Sequence, residues 1–109
     1  MESTYRSTEP SRADIDALAG GAVLEFGTPW CGYCRSIQGT LGASLSRHPT
    51  VQHIKVEDGP GRPLGRSFGV KLWPTLVFLR DGKEVARLVR PGSGSAIADA
   101  LARVDPLGE

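Results

Sequence analysis

The 109-residue sequence has few cysteines, few aromatic residues and almost no excess of charge of either sign. Its 13 basic residues stand against 12 acidic ones, which leaves a formal net charge of +1 at pH 7. A domain that binds nucleic acid usually carries a basic stripe that contacts phosphates, and this nearly neutral chain has no such stripe. We therefore expect no nucleic-acid partner.

Long hydrophobic runs are also missing. Residues 1–12 are polar and mixed in charge, unlike the basic start and apolar centre of a signal peptide. No apolar stretch approaches the length needed to cross a membrane. We therefore expect a cytoplasmic protein with no membrane partner, and in that compartment a close cysteine pair is more often catalytic than structural.

The cysteines that are present, Cys31 and Cys34, lie where a strand pattern changes to a helix pattern. In this context the C-x-x-C spacing is typical of a redox motif. We expect Cys31 at the helix N-cap, where the backbone N–H groups of Tyr33 and Cys34 and the helix dipole favour its thiolate. Cys34 lies one helical turn further on the same side, within reach of a disulfide with Cys31.

Two other roles suit these cysteines less well. A zinc site needs four ligands, and the two histidines, His48 and His53, lack the usual paired spacing and lie in a different segment. A purely structural disulfide across so short a loop would remove little entropy from the unfolded chain. We therefore predict redox chemistry without a bound metal, and we expect His48 at the surface.

Hydrophobic periodicity predicts alternating helices and strands. Ser11 and Asp14 resemble a capping box, Asp81-Gly82 is typical of a hairpin turn, and Glu25 interrupts an otherwise apolar strand. The predicted elements are a helix at 11–19, strands at 22–26 and 51–57 on either side of a helix at 31–47, a short helix at 64–68, antiparallel strands at 75–79 and 83–89, and a final helix around 97–104 that Pro106 and Gly108 end.

This order of elements predicts an α/β fold. A strand-helix-strand unit followed by a hairpin and a helix gives a mixed sheet with helices on both faces and a right-handed crossover between the parallel strands. Residues 1–10 lack periodicity and are predicted to be a flexible leader, and residues 11–109 are predicted to form a single domain.

The sequence resembles the thioredoxin superfamily. The resemblance rests on Trp30-Cys31-Gly32-Tyr33-Cys34 after the first strand and on Trp73-Pro74-Thr75 before the third, and it covers about residues 22–104. That span leaves little room for the first strand of full thioredoxins. We therefore expect a thioredoxin-like fold with a central mixed sheet of four strands, and a sheet of five strands is the alternative.

The resemblance implies roles for several residues. Cys31 is the nucleophile, Cys34 resolves the mixed disulfide, and Pro74 matches a proline in the cis form that faces the disulfide. Glu25 matches a buried carboxylate, with Lys55 as its lysine partner on the next strand. From the sequence alone the alternative for Glu25 is an exposed strand residue, and Lys55 could equally be solvated. The residues expected to contact substrate are Trp30, Gly32, Tyr33, Trp73, Pro74 and Thr75.

The chain departs from thioredoxin at four positions. Glu25 replaces the usual Asp and Tyr33 the usual Pro, while Trp73 replaces a smaller residue beside the cis proline and Arg90 stands where thioredoxins usually have Gly. The side chain of Trp30 is expected to form a wall of the substrate groove. Trp73 is as compatible with a core position as with a peptide contact.

The sequence and the resemblance together predict a cytoplasmic thiol-disulfide oxidoreductase that reduces protein disulfides by dithiol exchange. The chain is expected to act as a monomer without a bound cofactor, and to receive electrons from a thioredoxin reductase or a thiol pool. One alternative is an adaptor that holds a partner through Trp30, Trp73 and Pro74 while its thiols matter little. Another is a disulfide isomerase or oxidase, since Cys-Gly-Tyr-Cys resembles the motif of bacterial periplasmic isomerases.

Overall fold

The structure is a computed structural model that describes residues 1–2, 4–6 and 8–106. Helices and strands alternate along the chain in the predicted order. They are α1 (Arg12–Asp16), β1 (Gly21–Gly27), α2 (Gly32–Ser36), α3 (Gln38–Leu45), β2 (Gln52–Glu57), α4 (Pro63–Ser67), β3 (Thr75–Arg80), β4 (Lys83–Val89) and α5 (Gly94–Val104).

The four strands form one mixed sheet in the order β2-β1-β3-β4. Strand β1 runs parallel to β2 and antiparallel to β3, and β3 and β4 form an antiparallel hairpin. The hairpin turns at Asp81 and Gly82, with φ angles of 51° and 79°, as a type I′ turn requires. The mixed four-stranded sheet and the antiparallel hairpin are therefore confirmed.

Apolar clusters cover both faces of the sheet. One face packs against α3 and α5, where Val23 of β1 meets Leu41 and Leu101. The other packs against α1 and α4, where Leu24 meets Ile15 and Leu64. Since successive side chains of a strand point to opposite faces, Glu25 lies on the same face as Val23, next to α3. The expectation of a sheet with helices on both faces is confirmed, and its strand β1 is buried on both sides.

The predicted helix at 31–47 is wrong in one respect, because it is two helices that meet at Ile37. The side-chain amide of Gln38 donates to the carbonyl oxygen of Cys34 at 2.7 Å and so satisfies an acceptor at the end of α2. Periodicity continues through the junction because Ile37 and Leu41 are both buried. A hydrophobic pattern therefore could not reveal the break.

The first helix begins as predicted and ends earlier. The hydroxyl of Ser11 accepts the backbone N–H of Asp14 at 3.0 Å, and the carboxylate of Asp14 accepts the N–H of Ser11, which completes the capping box. Helix α1 nevertheless ends at Asp16. At the other end of the chain α5 ends at Val104, and Gly108, which we expected to help end it, lies outside the described residues.

The described residues of the predicted leader contact strand β2. The backbone N–H of Arg6 donates to the carbonyl of Lys55 at 3.0 Å, and Arg6 forms an isolated parallel bridge with Val56. The carboxylate of Glu2 accepts the backbone N–H of Lys55 at 2.9 Å. Within the described residues, this isolated bridge therefore lies at the outer edge of β2, where a fifth strand would pair. The flexibility of residues 1–10 stays a prediction.

Candidate active site

Cys31 and Cys34 are free thiols at the start of α2, directly after the loop that follows β1. Cys31 is the N-cap, as predicted, and its Sγ accepts the backbone N–H of Cys34 at 3.2 Å. Tyr33 was expected to supply a second donor, and this is wrong because an N-cap side chain bonds most directly to the third helical residue, which here is Cys34.

The Cys34 thiol is buried, with 1% of the residue exposed. Burial raises the pKa of Cys34 to about 11, and the neighbouring Cys31 adds to the rise. A hydrogen bond from the backbone of Thr28 and the nearby hydroxyl of Tyr5 act in the opposite direction and lower it. Removal of the Cys34 proton is therefore a demanding part of any reaction in which this sulfur attacks.

Glu25 is completely buried on β1, so the alternative of an exposed strand residue is excluded. Its Oε1 lies 2.8 Å from Nε2 of His53, and its Oε2 accepts the side-chain amide of Gln38 at 2.7 Å. Each carboxylate oxygen therefore has a partner. Burial without such partners would be costly for a carboxyl group.

Lys55 is the predicted partner of Glu25, and the two residues are directly paired in the parallel register of β1 and β2. The ammonium of Lys55 instead donates to Oε1 of Gln38 at 3.1 Å, so it reaches Glu25 through Gln38. Lys55 is buried, which excludes the solvated alternative. Sequence reasoning missed the roles of Gln38 and His53, although the two-residue period of a strand puts His53 and Lys55 on the same face of β2.

The residues predicted to contact substrate come from two segments, the motif loop and the start of β3 together with the two residues before it. The peptide bond between Trp73 and Pro74 is cis, as the resemblance implied. The rings of Trp30 and Trp73 meet edge to face with centroids 5.6 Å apart. Trp30 is 71% exposed, and the half-buried Trp73 donates from Nε1 to a carboxylate oxygen of Asp58 at 2.8 Å.

The remaining predicted contact residues differ in exposure. Tyr33 and Gly32 of the motif are exposed, whereas Pro74 and Thr75 are buried. The hydroxyl of Thr75 donates to the carbonyl of Leu72 at 2.6 Å, which holds the chain just before the cis bond. Trp30, Tyr33 and Gly32 are therefore the predicted contact residues most open to a substrate, and their binding role stays a prediction.

Arg90 contacts both the motif loop and the segment that precedes β3. Its Nε donates to the carbonyl of Trp73 at 2.8 Å, and its guanidinium lies 4.3 Å from the ring centroid of Tyr33. The backbone of Arg90 has φ 48°, in the left-handed region that favours glycine. The glycine that the resemblance led us to expect here would adopt this conformation without strain. Here an arginine holds the strained backbone and adds two contacts.

His48 is buried rather than at the surface, which corrects the prediction from sequence. Its Nδ1 lies 2.6 Å from Oδ2 of Asp105, which follows α5, and Thr50 donates to the other oxygen of that carboxylate at 3.3 Å. The sequence could not show that residue 48 and residue 105 meet, because their contact depends on how α3 and α5 pack.

Neither a metal centre nor a membrane span is found in the part of the chain that the structure describes. Within the described ranges, no three side chains of His, Cys, Asp or Glu come together as metal ligands would. Among the helices of the described residues, none combines the length and the apolar character required to cross a membrane.

The comparisons with known proteins agree with this geometry. The thioredoxin family model matches residues 7–103. Thioredoxin from Chlamydia muridarum is 41% identical over 76 residues, which cover 68% of this chain and 74% of that protein. Thioredoxin H-type 1 from Nicotiana tabacum is 37% identical over 67 residues, which cover 62% of this chain and 53% of that protein.

A solved structure gives the same result for the fold. The structure of thioredoxin 2 from Pseudomonas aeruginosa PAO1 in its reduced form has a TM-score of 0.86 and 55% identity to this chain. The match covers 99% of this chain and 100% of that one. Cys31 and Cys34 lie together at the start of a helix, and the family model spans most of the sequence. The chain therefore belongs to the thioredoxin family of thiol-disulfide oxidoreductases.

Proposed function

We propose that this chain reduces disulfides in cytoplasmic protein substrates, with Cys31 as the attacking thiol and Cys34 as the resolving thiol. The observation that carries the proposal is a pair of free thiols at the start of α2, beside the exposed ring of Trp30. An exposed aromatic wall next to a reactive sulfur suits a peptide segment that carries a disulfide.

In the first step the thiolate of Cys31 attacks one sulfur of the substrate disulfide. A bond forms between Cys31 and that sulfur, the substrate disulfide breaks, and the other substrate sulfur leaves as a thiolate that takes a proton from water. The backbone N–H of Cys34, 3.2 Å from Cys31 Sγ, supports the negative charge of the attacking sulfur.

In the second step Cys34 loses its proton and attacks Sγ of Cys31. A disulfide forms between Cys31 and Cys34, the mixed disulfide breaks, and the second substrate sulfur leaves as a thiolate and is protonated. Two electrons have then passed from the dithiol to the substrate. The chain itself needs no cofactor for this exchange.

Glu25 is the group proposed to receive the Cys34 proton, through water or Lys55. The amide of Gln38 donates both to Oε2 of Glu25 and to the carbonyl of Cys34, so it links the carboxylate to the resolving cysteine. Lys55 donates to the oxygen of the same amide. A positioned carboxylate that acts as a general base typically contributes about 100- to 10,000-fold in rate.

The disulfide that forms must be reduced again before another turnover. We infer that a thioredoxin reductase or a pool of small thiols supplies these electrons, and that the chain acts as a monomer. Reduction of the purified disulfide form by a bacterial thioredoxin reductase and NADPH, compared with glutathione, would distinguish the two sources.

An insulin-reduction assay with dithiothreitol tests the proposed function. The wild-type chain should accelerate insulin reduction, and neither single cysteine variant should turn over. Cys34→Ser should accumulate a mixed disulfide with insulin, whereas the matched variant Cys31→Ser should not. Accumulation on Cys31→Ser instead would reverse the assigned roles.

Two other outcomes would replace the proposal. A wild-type chain without reductase activity, whose double cysteine variant still binds a partner, would be an adaptor. A chain that rearranges scrambled disulfides faster than it reduces insulin would be an isomerase. Insulin reduction, partner binding and the rearrangement of scrambled disulfides therefore separate the three functions.

A further inference from the structure

Tyr5 has a buried hydroxyl that the steps above do not use. The residue lies in the segment predicted as a flexible leader, and its ring is half-buried. No described atom is aligned to accept a hydrogen bond from its oxygen, although that oxygen is shielded from solvent. A buried hydroxyl without a partner is costly, so its position calls for an explanation.

The hydroxyl of Tyr5 lies close to the sulfur of Cys34. A Cβ atom built on Gly27 would be 2.5 Å from Cys34 Sγ and 2.8 Å from the Tyr5 oxygen, so both atoms crowd one point beside β1. Tyr5 and Cys34 also line the same cavity, of about 390 Å³, together with Gln38 and Lys55. The tyrosine therefore lies at the resolving sulfur, in the space that glycine at position 27 leaves open.

Contacts with β2 hold the segment that carries Tyr5. On one side the backbone N–H of Arg6 donates to the carbonyl of Lys55 at 3.0 Å. On the other, Glu2 donates its backbone N–H to Nδ1 of His53 at 2.9 Å. The ammonium of Lys55 lies 4.6 Å from the centroid of the Tyr5 ring, a cation–π distance. These contacts keep the hydroxyl at the sulfur.

We propose that the Tyr5 hydroxyl donates a hydrogen bond to Cys34 Sγ when that sulfur becomes a thiolate, and so promotes the resolving step. The proposal rests on the proposed function, because it concerns the second step of the same exchange. Among the described residues the hydroxyl has no accepting partner in the dithiol form, and the thiolate provides one. Its bond therefore forms as the negative charge develops, which is the condition for lowering a barrier.

Tyr5 acts as a donor and not as a base. Burial and the nearby negative charges of Glu25 and Cys34 raise the pKa of Tyr5, so the phenol keeps its proton throughout. A hydroxyl that donates to the sulfur lowers the pKa of Cys34, against the larger effect of burial. The Cys34 proton still leaves to Glu25 or water, and Tyr5 is neither oxidised nor deprotonated in the cycle.

Tyr5→Phe should slow the resolving step by about threefold near neutral pH. Loss of one hydrogen bond to a charged sulfur raises its pKa by about one unit, which cuts the thiolate fraction by about tenfold. The more basic sulfur is a better nucleophile and recovers about threefold of that loss. The pH dependence of the step should move to higher pH by a similar amount, a change that a space-filling role would not produce.

Rapid mixing of the reduced protein with a chromogenic aromatic disulfide separates the two steps. Attack by Cys31 releases one equivalent of coloured thiolate, and attack by Cys34 releases the second. The wild-type chain, Tyr5→Phe and Ser46→Ala are compared over a range of pH. Ser46→Ala is the matched control, since it removes an exposed hydroxyl at the end of the helix that follows Ile37.

The expected result is a slower second release in Tyr5→Phe, with its pH profile displaced upward, an unchanged first release, and a melting temperature no lower than that of the wild type. A second release unchanged in rate and pH profile would overturn the proposal. Equal slowing of both releases at every pH would also overturn it, by showing a general distortion. Failure of the wild-type chain to give the second release would instead count against the proposed function.

Discussion

Glu25 and His53 form a buried pair across the two parallel strands, with 2.8 Å between Oε1 and Nε2 and neither side chain more than 2% exposed. Nδ1 of His53 accepts the backbone N–H of Glu2, so the proton of the neutral ring is on Nε2 and points to Glu25. Gln38 donates to the other carboxylate oxygen. Two donors from different elements therefore hold the group that we propose as the base.

Glu25→Gln should reduce insulin turnover near neutral pH by about ten- to a hundredfold, less than the full contribution of a general base because solvent can partly substitute. The amide cannot take up the Cys34 proton. The second release of coloured thiolate should slow while the first does not. An unchanged pH profile of turnover would return Glu25 to a structural role.

His53→Leu should slow the second release of coloured thiolate near neutral pH. The substitution removes the group that holds Oε1 of the proposed base, so Glu25 is less well positioned. His53→Gln keeps one donor and should restore part of the wild-type rate. The measurement is the rate of the second release, with thermal unfolding recorded for each variant.

His48→Leu is the matched control for this experiment. It also breaks a buried histidine–carboxylate pair, here with Asp105, so it should lower the free energy of unfolding by about 1–3 kcal/mol. Its rate of the second release should remain that of the wild type. Slowing of equal size in both histidine variants would show that the rate reports stability and not the position of Glu25.

Gly27→Ala should destabilise the reduced protein by about 1–3 kcal/mol and slow the resolving step, because the new Cβ would stand 2.5 Å from Cys34 Sγ. Gly39→Ala is the contrasting change, since nothing lies within 4 Å of a Cβ at that position in α3. It should stabilise the protein by about 0.5–1 kcal/mol. Chemical denaturation of both variants measures the difference, and equal effects would contradict the crowding between residue 27 and Cys34.

The reduced protein should lose stability as pH rises from about 9 towards about 11. The pKa of Cys34 is raised in the folded state from its ordinary value of 9.0, so folding favours the neutral thiol, and that contribution disappears once the thiol ionises. After allowance for solvent screening the loss is about 1–2 kcal/mol. Cys34→Ser should lack this alkaline loss. Parallel denaturation curves for the two proteins across this range would refute the shift.

Arg90→Gly should leave a more stable protein than Arg90→Ala, by about 1 kcal/mol. Both variants lose the contacts of the guanidinium with Trp73 and Tyr33, but only glycine relieves the backbone at φ 48°. Thermal unfolding of the pair isolates the backbone cost. A more stable alanine variant would mean that the left-handed conformation relaxes when the arginine is removed.

Much of the fold could be predicted from local sequence. The capping box of Ser11 and Asp14 and the hairpin turn at Asp81-Gly82 are short-range signals, and each is present in the structure. The break between α2 and α3 could not be predicted, because Gln38 satisfies the carbonyl of Cys34 with a side-chain hydrogen bond that leaves the hydrophobic period unchanged.

The site was predicted to a smaller extent. Spacing alone placed Cys31 at the helix N-cap, and the apolar surroundings of Glu25 indicated an unusual carboxylate. The direct partners of that carboxylate come from elsewhere: Gln38 from the start of α3 and His53 from β2. The resemblance implied Lys55 as the partner of Glu25. Lys55 does lie on the neighbouring strand β2, but its ammonium donates to Gln38 and not to Glu25.

The sequence by itself determined the properties that are set within a few residues of each other: the two neighbouring thiols, the capped helix that begins at them, the turns, and the apolar run that forms the buried strand β1. Only the tertiary structure decided which distant groups meet. Tyr5 reaches Cys34 because the first residues lie against β2, and Glu25 meets His53 because β1 and β2 pair in parallel register. Such contacts depend on register and packing across the whole chain, and no local pattern records them.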